Sequence, residues 1–524
     1  MRALDLNVLT IGFLALLPLT AASEIKAQNG SSISAPMFGG GLVSEPSCSG
    51  PNATKRTIGY YEGRASRRPC DTYFPADFDA TAMTHINFVF VHFHPTTFEI
   101  TPKDPSDIPL YSQFTALKEK HPALQTWVSL GGWAFNDATN SLNTQTAFSD
   151  MSSSAANRRV FAVSLIHFMD TYGFDGVDID WEYPGADDRG GATADTANYA
   201  LLLSDLKAAF RGRYGISVTL PSSYRYLHWF DLHAMEKSVD FFNFMSYDIH
   251  GVWDSSSKLT GPYVRPHTNL TEIRQGLDLL WQNNISPSKV NLGVGWYGRS
   301  FTLNDPLYNT PGCIFSEVGT AGECTNFAGT LSNAEIRRII TSQCLTPTMD
   351  REAAVKWITW DSNQWVSYDD GETMQMKIQA ASELCLGGTV IWSIDQGSTD
   401  NASSNDLMGI GTANGVSAAE ATMLREWQTT AKTAAAIRNS CHWSSCGDQC
   451  PAGFLSEAYA KGQVKGIEID MNCEGDEVKT LCCAPGTNTG RCEWSGWRGV
   501  GMACATGYCP DGGMWSLAYQ IFPT

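Results

Sequence analysis

The sequence predicts an α/β chain built on a closed (β/α)8 barrel of the TIM type, with an α+β insertion between strands seven and eight and a small disulfide-rich C-terminal region. Three observations carry that expectation. Short β-rich runs, eight of them, alternate with amphipathic stretches between residues 57 and 394. About 95 residues separate the seventh run from the eighth, too many for a single crossover helix. Nine of the 15 cysteines crowd into Cys441 to Cys509, a density at which disulfides stand in for a hydrophobic core.

In chain order, residues 1–23 read as a secretory signal. Arg2 precedes an apolar run from Val8 to Ala22, and Ala21, Ala22 and Ser23 supply the small residues of a cleavage site. Residues 24–55 are rich in Ser, Gly and Pro without a helical period, so a tether is expected. The barrel is expected over 56–414. Its strands are Thr57 to Tyr61, His85 to Phe93, Gln125 to Leu130, Gly176 to Asp180, Ile216 to Leu220, Phe241 to Met245, Val290 to Val294 and Thr389 to Ile394. Asn157 to Tyr172, Asn198 to Tyr214 and Leu270 to Asn284 have the helical period. The insertion, about residues 299–370, holds Cys313, Cys324 and the aromatic segment Trp357 to Tyr368, and Glu372 to Leu384 returns as a helix to strand eight. Residues 415–440 are Ala-rich and read as a helical spacer. Residues 441–524 form the Cys-rich module. In it Cys441, Trp443, Cys446, Cys450 and Gly453 are faintly echoed by Cys492, Trp494, Cys504, Cys509 and Gly512.

A net charge of −18 argues against nucleic acid or an anionic membrane as partner and suits a neutral substrate. The 16 tryptophans exceed what a core requires, and their faces also stack on sugars. After the signal, no apolar run approaches the roughly 18 residues of a membrane span, so a soluble, secreted product is expected. Export makes the cysteines disulfide candidates and Asn29, Asn52, Asn269 and Asn401 glycan acceptors. Since 15 is odd, at least one thiol stays free or bonds another chain, so a disulfide-linked partner through the Cys-rich region is an open expectation. Zinc is the competing use of these cysteines, but no paired Cys-x2-Cys occurs, and no metal or other cofactor is expected.

The chemistry concentrates in Asp175 to Glu182. On a strand Asp178, Asp180 and Glu182 share one face while Val177, Ile179 and Trp181 share the other. Like charges about 7 Å apart raise the cost of ionising each carboxyl, a cost tolerable where protons are shared or moved. A divalent cation would also accept such oxygens. The apolar residues between the acids, and the stop at Tyr183 and Pro184, favour a catalytic site at the carboxyl end of a barrel strand.

Further motifs stand in order around this strand: Ser129 to Trp133 before it, then Met245 to Asp248, then Gly388 to Trp392. Together they make the segment from Arg56 to Asn414 resemble the chitinases of glycoside hydrolase family 18, in their fungal class V form related to a yeast killer-toxin subunit. The resemblance implies a retaining, substrate-assisted hydrolysis of β-1,4-linked N-acetylglucosamine. Glu182 is then the proton donor, Asp180 orients the acetamido group, Asp178 shares a proton with Asp180, and Tyr247 donates to the acetamido oxygen. Asp248 fixes the substrate or the acid, and Met245 packs beneath the sugar. Trp392 resembles the floor of the site, Trp133 and Trp253 resemble stacking platforms, Tyr61 and Tyr183 complete the pocket, and Arg299 bonds the sugar. For the aromatics other than Trp392, barrel-core packing is the alternative.

The partners so implied are chitin, chitooligosaccharides and the fungal cell wall. Three other readings remain: a catalytically silent chitin-binding lectin, which retention of Glu182 opposes; an endo-β-N-acetylglucosaminidase acting on N-glycans; and a toxin subunit or wall-adhesion protein using Trp443, Trp494, Trp497 and Trp515 of the Cys-rich module.

Overall fold

The computed structural model describes residues 45–48, 52–140, 142–398, 402–409, 441–443, 449–450, 455–460 and 479–483. The expected signal and helical spacer lie outside these residues, as does most of the Cys-rich module.

Eight parallel strands close on themselves: β1 (Arg56–Glu62), β2 (His85–Phe93), β3 (Gln125–Gly131), β4 (Gly176–Asp180), β5 (Gly215–Pro221), β6 (Phe241–Met245), β7 (Val290–Gly295) and β8 (Gly388–Trp392), with β1 pairing both β2 and β8. The eight expected runs coincide with these strands to within two residues. Between β3 and β4 the helix Ala155–Tyr172 starts where Ser154 accepts from the Asn157 N–H at 3.1 Å and stops at Gly173, whose φ of 79° is left-handed. Val177 and Ile179 share one core with Leu165 of that helix and with Leu202 and Leu206 of the next, Asp195–Phe210.

The other face of each strand fills the barrel in layers. At the bottom Trp127 stacks on Phe241 at 5.0 Å. Space for its indole comes from Gly176 and Gly215; a Cβ on Gly215 would lie 2.2 Å from Trp127 Cζ2. Above it the register sets Ser129, Asp178 and Ser217 side by side on β3, β4 and β5, and Asn243 beside Asn291 on β6 and β7. This layer is polar and fully buried. The carboxyl ends of the strands form the mouth.

The insertion is a lobe that begins directly after β7. Its antiparallel sheet runs in the order Phe315–Val318, Tyr297–Leu303, Gln364–Tyr368, Val355–Trp360, Thr348–Asp350, with Thr330–Ser332 also on Tyr297–Leu303. Helix Asn333–Ser342 opens with a reciprocal cap between Ser332 and Glu335. Gly371–Glu383 then returns to β8 as expected.

Cys70–Cys324 joins the loop after β1 to the lobe, and Cys48–Cys385 joins the chain before β1 to the turn before β8. The end of the expected tether is therefore fixed, and Ala53 is buried with its N–H on Ser382 Oγ at 3.2 Å. In the Cys-rich region Cys441–Trp443, Lys479–Cys483 and Leu455–Ala460 form a three-stranded antiparallel sheet with a Cys450–Cys482 disulfide. Among the described residues Cys313 and Cys344 are free thiols, and no helix is long and apolar enough to cross a membrane.

Candidate active site

The acids of β4 climb from the polar layer to the mouth. Asp178 accepts from Tyr60 Oη at 2.8 Å, Ser129 Oγ at 2.8 Å, Ser217 Oγ at 2.6 Å and Asn243 Nδ2 at 3.1 Å. Burial pushes its pKa up against these four donors. One rung higher, Asp180 accepts from Thr219 Oγ1. Burial, then the charges of Glu182 and Asp178, drive the Asp180 carboxyl well above its ordinary range. Glu182 lies just past the strand. Burial lifts it to about 7, while the Tyr183 hydroxyl, the Arg189 cation and the Trp133 N–H pull the other way. The shifts of all three carboxyls run toward the protonated form, the direction a general acid needs.

Two glycines allow β3 to approach β4 at this level. Gly131 and Gly132 have φ of 105° and 81°, and a Cβ on Gly131 would come 2.2 Å from the Asp180 carbonyl oxygen. The Gly132 N–H donates to that oxygen at 2.9 Å, which sends Trp133 out over the mouth with 52% of its surface exposed.

Across the mouth, Tyr247 follows β6 and is buried; burial, then the charges of Asp180, Asp248 and Glu182, raise its pKa. Asp248 takes a left-handed φ of 57°. Arg299 grips it with a fork, Nε to Oδ1 at 2.7 Å and Nη2 to Oδ2 at 2.5 Å, and Tyr297 Oη donates at 2.6 Å. Although burial opposes ionisation, Arg299 and His267 hold Asp248 far below the usual carboxylate range. Both Tyr297 and Arg299 come from the first strand of the lobe, so the insertion supplies part of the site. Arg299 spends its fork on Asp248 and its Nη1 on Thr330 Oγ1 at 2.7 Å, and its guanidinium lies 5.1 Å from the ring of Trp253, which is 43% exposed.

Trp392 ends β8 partly buried, 5.4 Å from the Tyr60 ring and 5.7 Å from Phe90. Met245 ends β6 half-buried against the outer core. Tyr183 is buried and stacks on Tyr226 at 4.1 Å.

Tyr61 is a correction. It points outward into the core with Phe88 and Phe114 and donates to the Tyr73 carbonyl at 2.9 Å, away from the acids. Its neighbour Tyr60 faces the interior and bonds Asp178. Thr219, Phe90 and Arg189 also join the site without having been read from the sequence. Alternation along β1, β2 and β5 gives the period for the strand residues but not the phase, and Arg189 sits on a loop. Among the described residues, no three metal-ligating side chains gather around a common point.

A barrel whose fourth strand carries buried carboxyls to its carboxyl end is arranged for acid chemistry. The family model for glycosyl hydrolases family 18 matches residues 56–397, more than half of the chain, and the chain belongs to that family. It is 32% identical over 358 residues to the secreted chitinase LysM12 of Penicillium expansum, covering 65% of this chain and 23% of that protein. It is 36% identical over 247 residues to the killer toxin subunits alpha/beta of Kluyveromyces lactis, covering 46% of this chain and 21% of that one. The chain thus spans about a quarter of the length of these curated relatives. The Group IV chitinase of Ostrinia furnacalis, solved with allosamidin, superposes with a TM-score of 0.59 at 27% identity, covering 67% of this chain and 95% of that one.

Proposed function

We propose that this chain is an exported chitinase that cleaves β-1,4 bonds between N-acetylglucosamine units with retention, using the substrate's own acetamido group as nucleophile. The observation that carries the reading is the state of the carboxyls. Glu182 is the one lifted to about 7, while Asp180 is driven toward its neutral form and Asp248 is locked in the Arg299 fork. A second ionised carboxylate free to attack an anomeric carbon is not what these environments favour, and substrate assistance replaces it.

In this scheme Glu182 protonates the glycosidic oxygen as the acetamido carbonyl attacks the anomeric carbon, giving an oxazolinium ion. Asp180 accepts from the acetamido N–H and, as the proton it shares passes to Asp178, steadies the growing positive charge. Tyr247 donates to the acetamido oxygen. Glu182, now ionised, takes a proton from water, which opens the ring from the face the leaving group left. Trp392, between Tyr60 and Phe90, is the floor for the distorted sugar, and Trp133 and Trp253 are exposed stacking faces. Export is supported by the leader-like residues 1–23, by the disulfides and by a relative named as secreted.

Product analysis on chitohexaose, read by the anomeric configuration of the first product, tests the reading. Retained β-products are expected, and E182Q should lower turnover by about 10²-fold or more while still binding the sugar. Wild-type rates in E182Q, or equal cleavage of sugars lacking the acetamido arm, would dismiss the scheme. Release from a high-mannose glycoprotein in preference to chitohexaose would move the assignment to N-glycans.

A further inference from the structure

Among groups the mechanism does not use, Arg189 is the one most tightly built into the mouth. It ends the short turn Asp187–Arg189 and is only 5% exposed. Its Nε donates to the Glu182 carbonyl oxygen at 3.0 Å, and its Nη2 donates to the carbonyl of Trp133. The same guanidinium lies 3.7 Å from the centroid of the Trp133 ring. The Trp133 N–H in turn lowers the pKa of the Glu182 carboxyl.

The loop that delivers Arg189 is itself fixed. Buried Asp195 accepts from the N–H of Gly185 at 3.1 Å, the N–H of Ala192 at 2.7 Å and Ser149 Oγ at 2.7 Å. Gly190, with φ of 72°, lets the chain turn where a Cβ would meet the Gln145 backbone at 2.6 Å. A cation held this firmly, without a carboxylate of its own in the contacts above, is not a surface ion pair.

We propose that Arg189 is a positioning residue that couples the exposed Trp133 platform to the acid Glu182, so that a sugar stacking on the indole settles the acid's peptide at the same time. This rests on the glycosidase reading of the site. A guanidinium suits the task because one planar fork reaches two carbonyls while its face covers a ring. Its charge also opposes ionisation-suppressing burial at Glu182, whose other neighbours are the Tyr183 hydroxyl, the Trp133 N–H, Asp248, Asp180 and Tyr247.

R189M and R189K separate the two contributions on the full chain, with near-UV circular dichroism to show that each variant is folded. For R189M, kcat/KM on chitohexaose should fall by about 10- to 100-fold, the scale of a displaced reacting group, and the basic limb of its pH profile should move upward. R189K should leave that limb in place because the charge stays, yet still lose rate because the fork is gone. In an E182Q background, which binds without cleaving, adding R189M should weaken chitohexaose binding by calorimetry about tenfold. An unmoved limb with an unchanged kcat/KM in R189M, or unchanged binding in the double variant, would overturn the proposal. Absence of cleavage by the wild type would instead fell the chitinase reading, and the binding arm would still judge Arg189.

Discussion

Glu182 can give a proton only while it holds one, so its environment sets the pH range of the reaction. With the carboxyl lifted to about 7 by burial, kcat/KM is expected to fall as pH rises through about 7, and a profile flat to pH 9 would contradict that assignment. The same shift predicts an effect on stability. A carboxyl whose folded pKa exceeds its unfolded value, about 4.3, contributes stability fully below that value, and the contribution is lost as pH rises through the folded pKa. E182Q should therefore melt above the wild type at pH 8 and level with it near pH 4, in thermal unfolding followed by circular dichroism. The acids proposed for this chemistry can be read as a set from the sequence for a physical reason. Strand geometry alone puts Asp178, Asp180 and Glu182 on one face, whatever the rest of the chain does. Tyr60 and Tyr61 show the limit. Both are large and aromatic, and both are buried, so only the pairing of β1 with β2 and β8 decides which one faces inward.

At the level of elements, the barrel floor depends on two strands giving up side chains where the Trp127 indole lies. G215A would drive a methyl to 2.2 Å from that ring, and overpacking of this kind costs about 1–3 kcal/mol. Chemical denaturation should show it as a lower midpoint, with chitohexaose turnover little changed at temperatures where the variant stays folded. Equal midpoints would mean that the floor yields without cost. The strands themselves were readable because each is short, β-rich and followed by a turn or an amphipathic helix. The order of strands in the lobe was not. Tyr297–Leu303 sits between Phe315–Val318 and Gln364–Tyr368, and its pairing with Gln364–Tyr368 sets Thr302 against Gln364, a contact distant in sequence that local period does not encode. Arg189 leaves no signal in the sequence for a related reason, since Asp195 and Gly190 fold its loop through contacts that have no periodic trace.

For the whole molecule, the family match ends at residue 397 and the described barrel elements end at Leu407, ahead of the cysteine-dense region. Removing residues 441–524 should largely spare cleavage of soluble chitooligosaccharides, because the family segment that carries the proposed site ends before them. Complete loss of activity would show that the barrel needs that module to stay folded. The lobe is a different case, because Arg299 belongs to it and Asp248 to the barrel. An engineer grafting this insertion onto a related scaffold would have to transplant both halves of that grip. A chimera inheriting a single half would strand a charge beside the reacting sugar, and exchange between relatives is thereby restricted to matched pairs.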